Sequence, residues 1–137
     1  MAVERDNIQP AGLNVRTIDG RALYSHVVTV TGGRRHIFVA GQLARDKDGN
    51  CIRPGDMRLQ IEQVGENIMA CLDAAGATLA DIVKTNTYVT DIDEFFRHAD
   101  MRMRYFGPAM PTSTTVEVRR LAGPDFLVEI EAVAIVD

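Results

Sequence analysis

The chain has 137 residues, of which 25% are charged and 46% are hydrophobic. This is the composition of a globular protein with one core, so we interpret residues 1–137 as a single domain. No apolar run has the length of a transmembrane helix, and the first ten residues lack the basic start and apolar stretch of a signal peptide. We therefore expect a cytoplasmic protein that does not use a membrane.

The net charge of −4 argues against nucleic acid as the main partner. A phosphate-binding surface needs clustered Lys and Arg, and the basic pairs here are short. The three histidines are isolated in the sequence, so no zinc motif is present. Cys51 and Cys71 are interpreted as free thiols of a reducing compartment.

The first third of the chain carries the signals of strands joined by tight turns. Residues 7–19 show little periodicity and are expected to be irregular, apart from a short edge strand. Two β-rich segments follow, at Tyr24–Thr31 and Arg35–Ala44. Gly32–Gly33 lies between these segments and predicts a hairpin.

A long helix is predicted in the middle of the chain. It is preceded by a turn at Asp46–Asn50 and a brief strand at Cys51–Ile52. Asp56 is a candidate N-cap, and the helix is predicted over Met57–Ala75 with Gly76 as the residue that ends it. Apolar residues at three- and four-residue spacing form one stripe of this helix, at Ile61, Val64, Ile68, Leu72 and Ala75.

A third β-rich segment and a second helix follow. Ile82–Thr90 alternates as a strand does. Asp91 or Asp93 is the expected N-cap of a helix that continues to about Phe106, where Gly107–Pro108 stops it.

The last thirty residues contain two alternating segments, Thr114–Leu121 and Phe126–Val136, which we interpret as a pair of strands on either side of a loop at Ala122–Asp125. In the second segment one face is wholly apolar and carries Val128, Ile130, Ala132, Ala134 and Val136. The other face mixes carboxylates with branched aliphatic residues, at Glu129, Glu131, Val133 and Ile135. We expect chemistry at the edge of this mixed face.

The predicted order is β-β-β-α-β-α-β-β, an α+β fold in which two amphipathic helices cover one face of a single mixed sheet. Both helices are expected on the apolar side, which leaves the mixed face without a cover from its own chain. Burial against another copy of the chain explains such a face. A solvated antiparallel face with a few aliphatic residues is the alternative.

Six segments in this order resemble the Rid (RidA/YjgF) family of small reactive-intermediate deaminases: Phe38–Gln42, Ala74–Gly76, Asp81–Thr85, Tyr88–Asp91, Pro111–Val118 and Val128–Ala132. The resemblance implies a chorismate-mutase-like fold and a homotrimer with its sheets inside, its helices outside and small-molecule substrate clefts between subunits. It also implies hydrolysis of enamine or imine intermediates to a keto acid and ammonia, without a cofactor or a metal.

The resemblance also suggests site residues. Tyr24 and Gly41 match residues that line the family's substrate cleft, and Glu129 matches the glutamate that activates the attacking water. Each has a plainer interpretation, because Tyr24 suits any strand, Gly41 also marks close packing, and Glu129 also suits a polar lumen.

Ser113 is the main departure from the family pattern. Substrate carboxylates are bound by an arginine in the family motif Pro-x-Arg-Ser-x-Val-Glu-Val, and this chain has Ser113 at the arginine position. A serine hydroxyl cannot replace the two parallel hydrogen bonds of a guanidinium. Ser113, Thr114 and Thr115 are therefore candidate contacts to a different ligand, although threonine also simply favours strands. Arg102, Arg104, Arg119 and Arg120 are the alternative sources of a cation, and helical periodicity places Arg102 on a solvated face.

We therefore expect a cofactor-free hydrolase of an enamine, an imine or a related C–N compound, with a specificity that differs from that of 2-imino acid deaminases. The alternative is a trimer that binds small ligands or proteins without catalysis. Endoribonuclease activity is a third hypothesis, which the acidic composition disfavours.

Overall fold

The computed structural model describes residues 3–137, in which the chain forms strands and helices of an α+β fold. The strands are β1 Glu4–Ile8, β2 Thr17–Ile18, β3 Arg21–Ala22, β4 Val27–Thr31, β5 Arg35–Gln42, β6 Ile82–Val89, β7 Thr112–Glu117 and β8 Val128–Val136. The helices are α1 Met57–Ala74, α2 Ile92–Arg97 and α3 Ala99–Phe106. A single 3-10 turn at Leu79–Asp81 leads into β6.

The main sheet has the strand order β5-β8-β6-β7. β8 runs antiparallel to both of its neighbours, whereas β6 and β7 run parallel, so the sheet is mixed as expected. The alternation predicted for β8 is confirmed, because its apolar residues from Val128 to Val136 are buried while Glu129 and Glu131 are half-buried. The helices pack on the buried side of the sheet and form the core with it.

Helix α1 begins where the sequence predicts. The Asp56 carboxylate accepts a hydrogen bond from the backbone N–H of Leu59 at 3.0 Å, which satisfies one of the free donors of the first turn. Gly76 takes a positive φ of 75° just beyond the last turn. In the predicted stripe, Ala75 is half-buried and the four larger side chains are fully buried, each of which stabilises the fold by about 1.5–3 kcal/mol.

The predicted hairpin between the second and third β-rich segments is wrong. Gly32 and Gly33 both have positive φ, at 84° and 66°, so the chain does turn there. However, β4 pairs with β1 in a separate antiparallel ribbon, and β5 joins the main sheet through β8. The partner of β4 comes from the start of the chain, where the sequence shows no clear periodicity.

Other elements also differ from the prediction. The second helix is interrupted at His98, whose φ of −111° and ψ of 30° are not helical, so α2 and α3 are separate. β7 and β8 are not adjacent, because β6 lies between them. The strand predicted at Cys51–Ile52 is reduced to an isolated bridge between Arg45 and Cys51.

A buried glutamine holds the loop before β8 to helix α1. The Gln60 side chain donates to the carbonyl oxygens of Arg53 at 3.0 Å and Asp125 at 2.9 Å, and it accepts from the N–H of Leu127 at 2.9 Å. These bonds satisfy a polar group that is 0% exposed. They fix the point at which the chain enters β8.

Within residues 3–137, no helix has the length and hydropathy that crossing a bilayer requires. Cys51 and Cys71 are both free thiols, as predicted. The cytoplasmic location stays a prediction.

Candidate functional site

The sheet face opposite the helices, called the open face below, carries Phe38, Tyr88, Glu129, Glu131 and Val133. These residues share it because Phe38 lies opposite Val133 and Tyr88 lies opposite Glu129 in the strand registers. Phe38 is 76% exposed, which is high for a phenylalanine on a sheet. A cavity of about 470 Å³ lies on this face and is lined by Phe38, Glu131 and Val133 among others. The open face is therefore the mixed face that the sequence predicts.

Glu131 is held in this cavity by two donors from β6. Its Oε1 accepts from Asn86 Nδ2 at 3.0 Å and from the Tyr88 hydroxyl at 2.8 Å. These hydrogen bonds, led by the one from Asn86, lower the pKa of the Glu131 carboxyl. The hydrogen bond between the Tyr88 hydroxyl and Glu131 also raises the pKa of that hydroxyl. A carboxylate that is stabilised in this way is a weak proton acceptor.

Glu129 lies beside Gly41 and has a different environment. A Cβ atom at Gly41 would be 2.5 Å from Glu129 Oε2, so the carboxylate occupies space that only glycine leaves open. The register between β5 and β8 shifts here, because Val39 pairs with Ala132 but Gln42 pairs with Ile130. This is a β-bulge, a feature that often redirects side chains near functional sites. Within residues 3–137, Glu129 makes no hydrogen bond or ion pair.

Tyr24 is placed next to β7 by backbone contacts. The N–H of Ser25 donates to the carbonyl oxygen of Pro111 at 3.1 Å, just before β7 begins. The Tyr24 hydroxyl accepts from the N–H of Arg16 and donates to the carbonyl of Asn14, both at 3.4 Å. A cavity of about 200 Å³ results, lined by Tyr24, His26, Lys84, Asn86, Ser113 and Thr114 among others.

The turn before β7 is held by the β1–β4 ribbon. Asn7 Nδ2 donates to Ser25 Oγ at 2.9 Å and to the carbonyl of Met110 at 2.8 Å. Arg5 reaches the carbonyl of Ala109 from the same strand. Met110 has a positive φ of 47°, an unusual conformation that these contacts support. The strand that sequence analysis missed therefore fixes the position of Ser113.

Beside the 200 Å³ cavity, a smaller cavity of about 160 Å³ lies on the helix side of β7 and is called the arginine pocket below. It is lined by Arg16, Leu23, Tyr24, Ile92, Phe96, Arg102, Ser113 and Thr115. Ser113 and Thr115 face it because they pair with Thr85 and Thr87, which are buried on the helix side of the sheet. The two cavities share Tyr24 and Ser113.

The prediction that Arg102 lies on a solvated face is wrong, because the residue is only 4% exposed. Helix α3 is covered on two sides, by α1 and by the segment around Leu23, so nearly all of its residues are buried. Arg102 Nη1 donates to the carbonyl of Leu23 at 2.6 Å and contacts Met103 Sδ at 3.6 Å. Burial, with a smaller contribution from Arg16, lowers the pKa of the Arg102 guanidinium to about 10, so it stays protonated at neutral pH.

The predicted site residues thus fall into two groups. Tyr24, Ser113, Thr114 and Thr115 line the two neighbouring cavities at β7, and Gly41 and Glu129 lie together on the open face. The described cavities of one protomer do not bring the two groups together. Arg16 and the hydrogen bonds of Glu131 are not predicted from the sequence, because no local pattern reveals them. In residues 3–137, no three His, Cys, Asp or Glu side chains are placed to hold a metal ion.

These features define a small α+β protein with an uncovered sheet face and polar cavities at its β7 edge. The sequence profile of the family described as "Endoribonuclease L-PSP" matches residues 15–136. The chain therefore belongs to this family, whose members also bear the names Rid, YjgF and RutC.

A RutC family protein of Pyrococcus abyssi is 43% identical over 98 residues, which cover 72% of this chain and 76% of the relative. A Rid family protein of unknown function, YyfB of Yersinia pestis, has a solved structure with a TM-score of 0.81 and 29% identity, covering 96% of this chain and 98% of that one. A putative endoribonuclease of Thermotoga maritima gives a TM-score of 0.69 at 32% identity, covering 90% of this chain and 96% of that one. These matches establish the chorismate-mutase-like fold of the family.

Proposed function

We propose that this protein is a cofactor-free hydrolase of an enamine, an imine or a related C–N compound, and that it works at clefts between the protomers of a homotrimer. The observation that carries the proposal is the Glu129 carboxylate, which lies in the space left by Gly41 without a hydrogen-bond partner in residues 3–137. A general base needs such a free carboxylate, and Glu131, which is engaged by two donors, does not offer one.

The proposed reaction needs water and one base. Glu129 removes a proton from water, and the water oxygen bonds to the carbon of the protonated imine (C=NH2+) while the C=N π electrons move to nitrogen. The amino nitrogen of this carbinolamine takes the proton from Glu129, the C–N bond breaks and ammonia leaves, and the hydroxyl group gives its proton to Glu129 as the C=O bond forms. An enamine first becomes an imine by protonation at carbon. No electron donor or acceptor is required.

The homotrimer is supported by the open face and by the separation of the two residue groups. Phe38 is 76% exposed beside Val133, and burying such apolar surface is the usual driving force for association. Because Glu129 and Ser113 point to opposite sides of one sheet, a site that uses both needs two protomers. In the proposed cleft, Glu129 of one protomer faces Tyr24 and Ser113 of its neighbour.

Trapping the imine tests the hydrolase. An amino-acid oxidase generates 2-iminobutyrate or another imine in the cuvette, and semicarbazide competes with the protein for it. We expect the protein to speed the loss of at least one imine in a panel. Turnover of 2-iminobutyrate should be slower than in an arginine-bearing relative, because Ser113 cannot form the two parallel hydrogen bonds of a guanidinium to a carboxylate at that position of the cleft. Equal rates would contradict the altered specificity.

Two isosteric variants distinguish the proposed role of the Glu129 carboxylate from that of the Glu131 carboxylate. Glu129→Gln should reduce turnover to the uncatalysed rate, since an amide cannot accept the proton from water. Glu131→Gln keeps a carbonyl oxygen that can accept from Asn86 and Tyr88, so it should retain most activity. If the wild-type protein binds keto acids but turns over no imine in the panel, the protein is a ligand-binding trimer instead.

A further inference from the structure

We infer that the arginine pocket binds the carboxylate of a small organic acid, and that Arg102 and Arg16 perform the binding for which this chain has no arginine at Ser113. The inference rests on the proposed hydrolase and names its substrate class, an imine or enamine that carries a carboxylate. It also identifies a binding site on helix α3 and the loop before β2, in place of one on β7.

Arg102 is a buried positive charge that lacks a counterion in residues 3–137. Arg102 is 4% exposed, and no carboxylate of residues 3–137 forms an ion pair with it. Burying a charge without a partner is costly, and removing one partner of a buried pair usually destabilises a protein strongly. A bound anion would supply the missing charge.

Part of the Arg102 guanidinium has no hydrogen-bond partner in residues 3–137. Nη1 of Arg102 is held by the carbonyl of Leu23, whereas Nε and Nη2 make no hydrogen bond in the described part of the chain. These two nitrogens form the fork that binds a carboxylate through two parallel hydrogen bonds. Because Arg102 lines the arginine pocket, a ligand in this cavity can reach them.

A second cation reinforces the site. The Arg16 guanidinium lies over the Phe96 ring, 3.8 Å from its centroid, and both residues line the same pocket. The stacking holds this exposed side chain beside the pocket, and no ion pair in residues 3–137 neutralises it. Two like charges around one small cavity repel each other, and an anion between them relieves this repulsion.

The position of Ser113 connects this pocket with the proposed reaction. Ser113 lines both the arginine pocket and the neighbouring 200 Å³ cavity, so the two cavities lie side by side at this residue. Apolar side chains of Leu23, Ile92 and Phe96 supply the remaining wall. The ligand is therefore a small acid with an apolar part, and the pocket is too small for a nucleotide.

Pyruvate and pyruvamide test the inference, because they have the same shape and differ in charge. Titration of ¹⁵N-labelled protein should shift the arginine Nε–H resonances saturably with pyruvate and much less with pyruvamide. Arg102→Met and Arg16→Gln should each weaken pyruvate binding about tenfold or more. Arg104→Gln, an exposed position on the same helix, should bind as the wild type does. Equal binding of pyruvamide, or unchanged affinity in both Arg102 and Arg16 variants, would overturn the inference.

Two further variants keep the inference testable if Arg102→Met does not fold. They are Arg102→Lys and Arg16→Gln, of which the second changes an exposed residue. Lysine keeps the charge but not the planar fork, so intermediate affinity is expected. If Arg102→Met does not fold, Arg16→Gln decides the outcome. Failure of the hydrolase proposal looks different, because pyruvate would still bind while no imine is turned over. Conversely, imine turnover with an unchanged KM in the Arg102 and Arg16 variants would contradict substrate binding in the arginine pocket but would still support the hydrolase proposal.

Discussion

The Glu129 carboxylate occupies the position that a side chain of residue 41 would need. An ideal Cβ on Gly41 lies 2.5 Å from Oε2 and 2.9 Å from Cδ of Glu129. The glycine is therefore required by its neighbour across the strands, since its own φ lies outside the positive region. This relationship links a backbone feature, the β-bulge, to the group proposed as the base.

Gly41→Ala is expected to reduce imine turnover strongly while leaving the fold intact. The added methyl group meets the far end of a flexible side chain, which can rotate away at small energetic cost. The carboxylate then leaves its position, and a misplaced base loses activity. Turnover and the urea midpoint of unfolding measure the two effects. A variant with normal kcat, or one that loses activity only because it unfolds, would contradict this role for Gly41.

Gly65→Ala should give the opposite result. A Cβ at Gly65 would be 2.5–2.7 Å from the ring of Tyr105, where helix α1 meets α3. Both residues are buried, so neither can move aside as the Glu129 carboxylate can. Overpacking of this kind costs about 1–3 kcal/mol of the free energy of unfolding. Urea denaturation measures the loss, and a variant as stable as the wild type would show that the two helices can separate without cost.

The sequence was sufficient to predict the elements that depend on local pattern. Strand β8 alternates strictly, and helix α1 has an N-cap at Asp56, an apolar stripe and a terminal glycine, so each appears with nearly the predicted bounds. The family resemblance supplied the fold, which alternation alone does not determine. Tyr24 and Ser113 line one cavity, and their role as substrate contacts stays a prediction.

Features that depend on how strands pair and helices pack in the fold cannot be predicted from the local sequence pattern. Strand β1 has little periodicity, because most of its residues are exposed, and so the partner of β4 was missed. Arg102 was predicted to be solvated since helical periodicity assumes one buried face, whereas α3 is covered on two sides. The bulge at Gly41 exists only in the pairing of β5 with β8. The candidate site combines these three features, and for this reason it was only partly predicted.

Phe38→Glu tests the proposed assembly. If the open face is buried between protomers, the charge would be placed in that interface and the mass in solution should fall from three chains to one. Met69→Glu is a matched control, because Met69 is 43% exposed on helix α1, away from the open face. Size-exclusion chromatography with light scattering measures both. A wild-type monomer, or a trimeric Phe38→Glu variant, would contradict the proposed role of this face.

Tyr88→Phe should destabilise the protein only where Glu131 is ionised. The hydrogen bonds from Asn86 and Tyr88 hold the folded-state pKa of Glu131 below its ordinary value of 4.5. A depressed carboxyl pKa contributes stability that is present above the unfolded pKa and is lost as the pH falls through the folded pKa. The urea midpoints of the two proteins should therefore differ near neutral pH and converge as the pH falls below 4.5. Tyr24→Phe is the control, because the Tyr24 hydroxyl contacts only backbone groups in the described part of the chain, and its difference from the wild type should not vary with pH in this range. A constant difference between wild type and Tyr88→Phe across this range would show that the hydroxyl acts through packing and not through the Glu131 carboxylate.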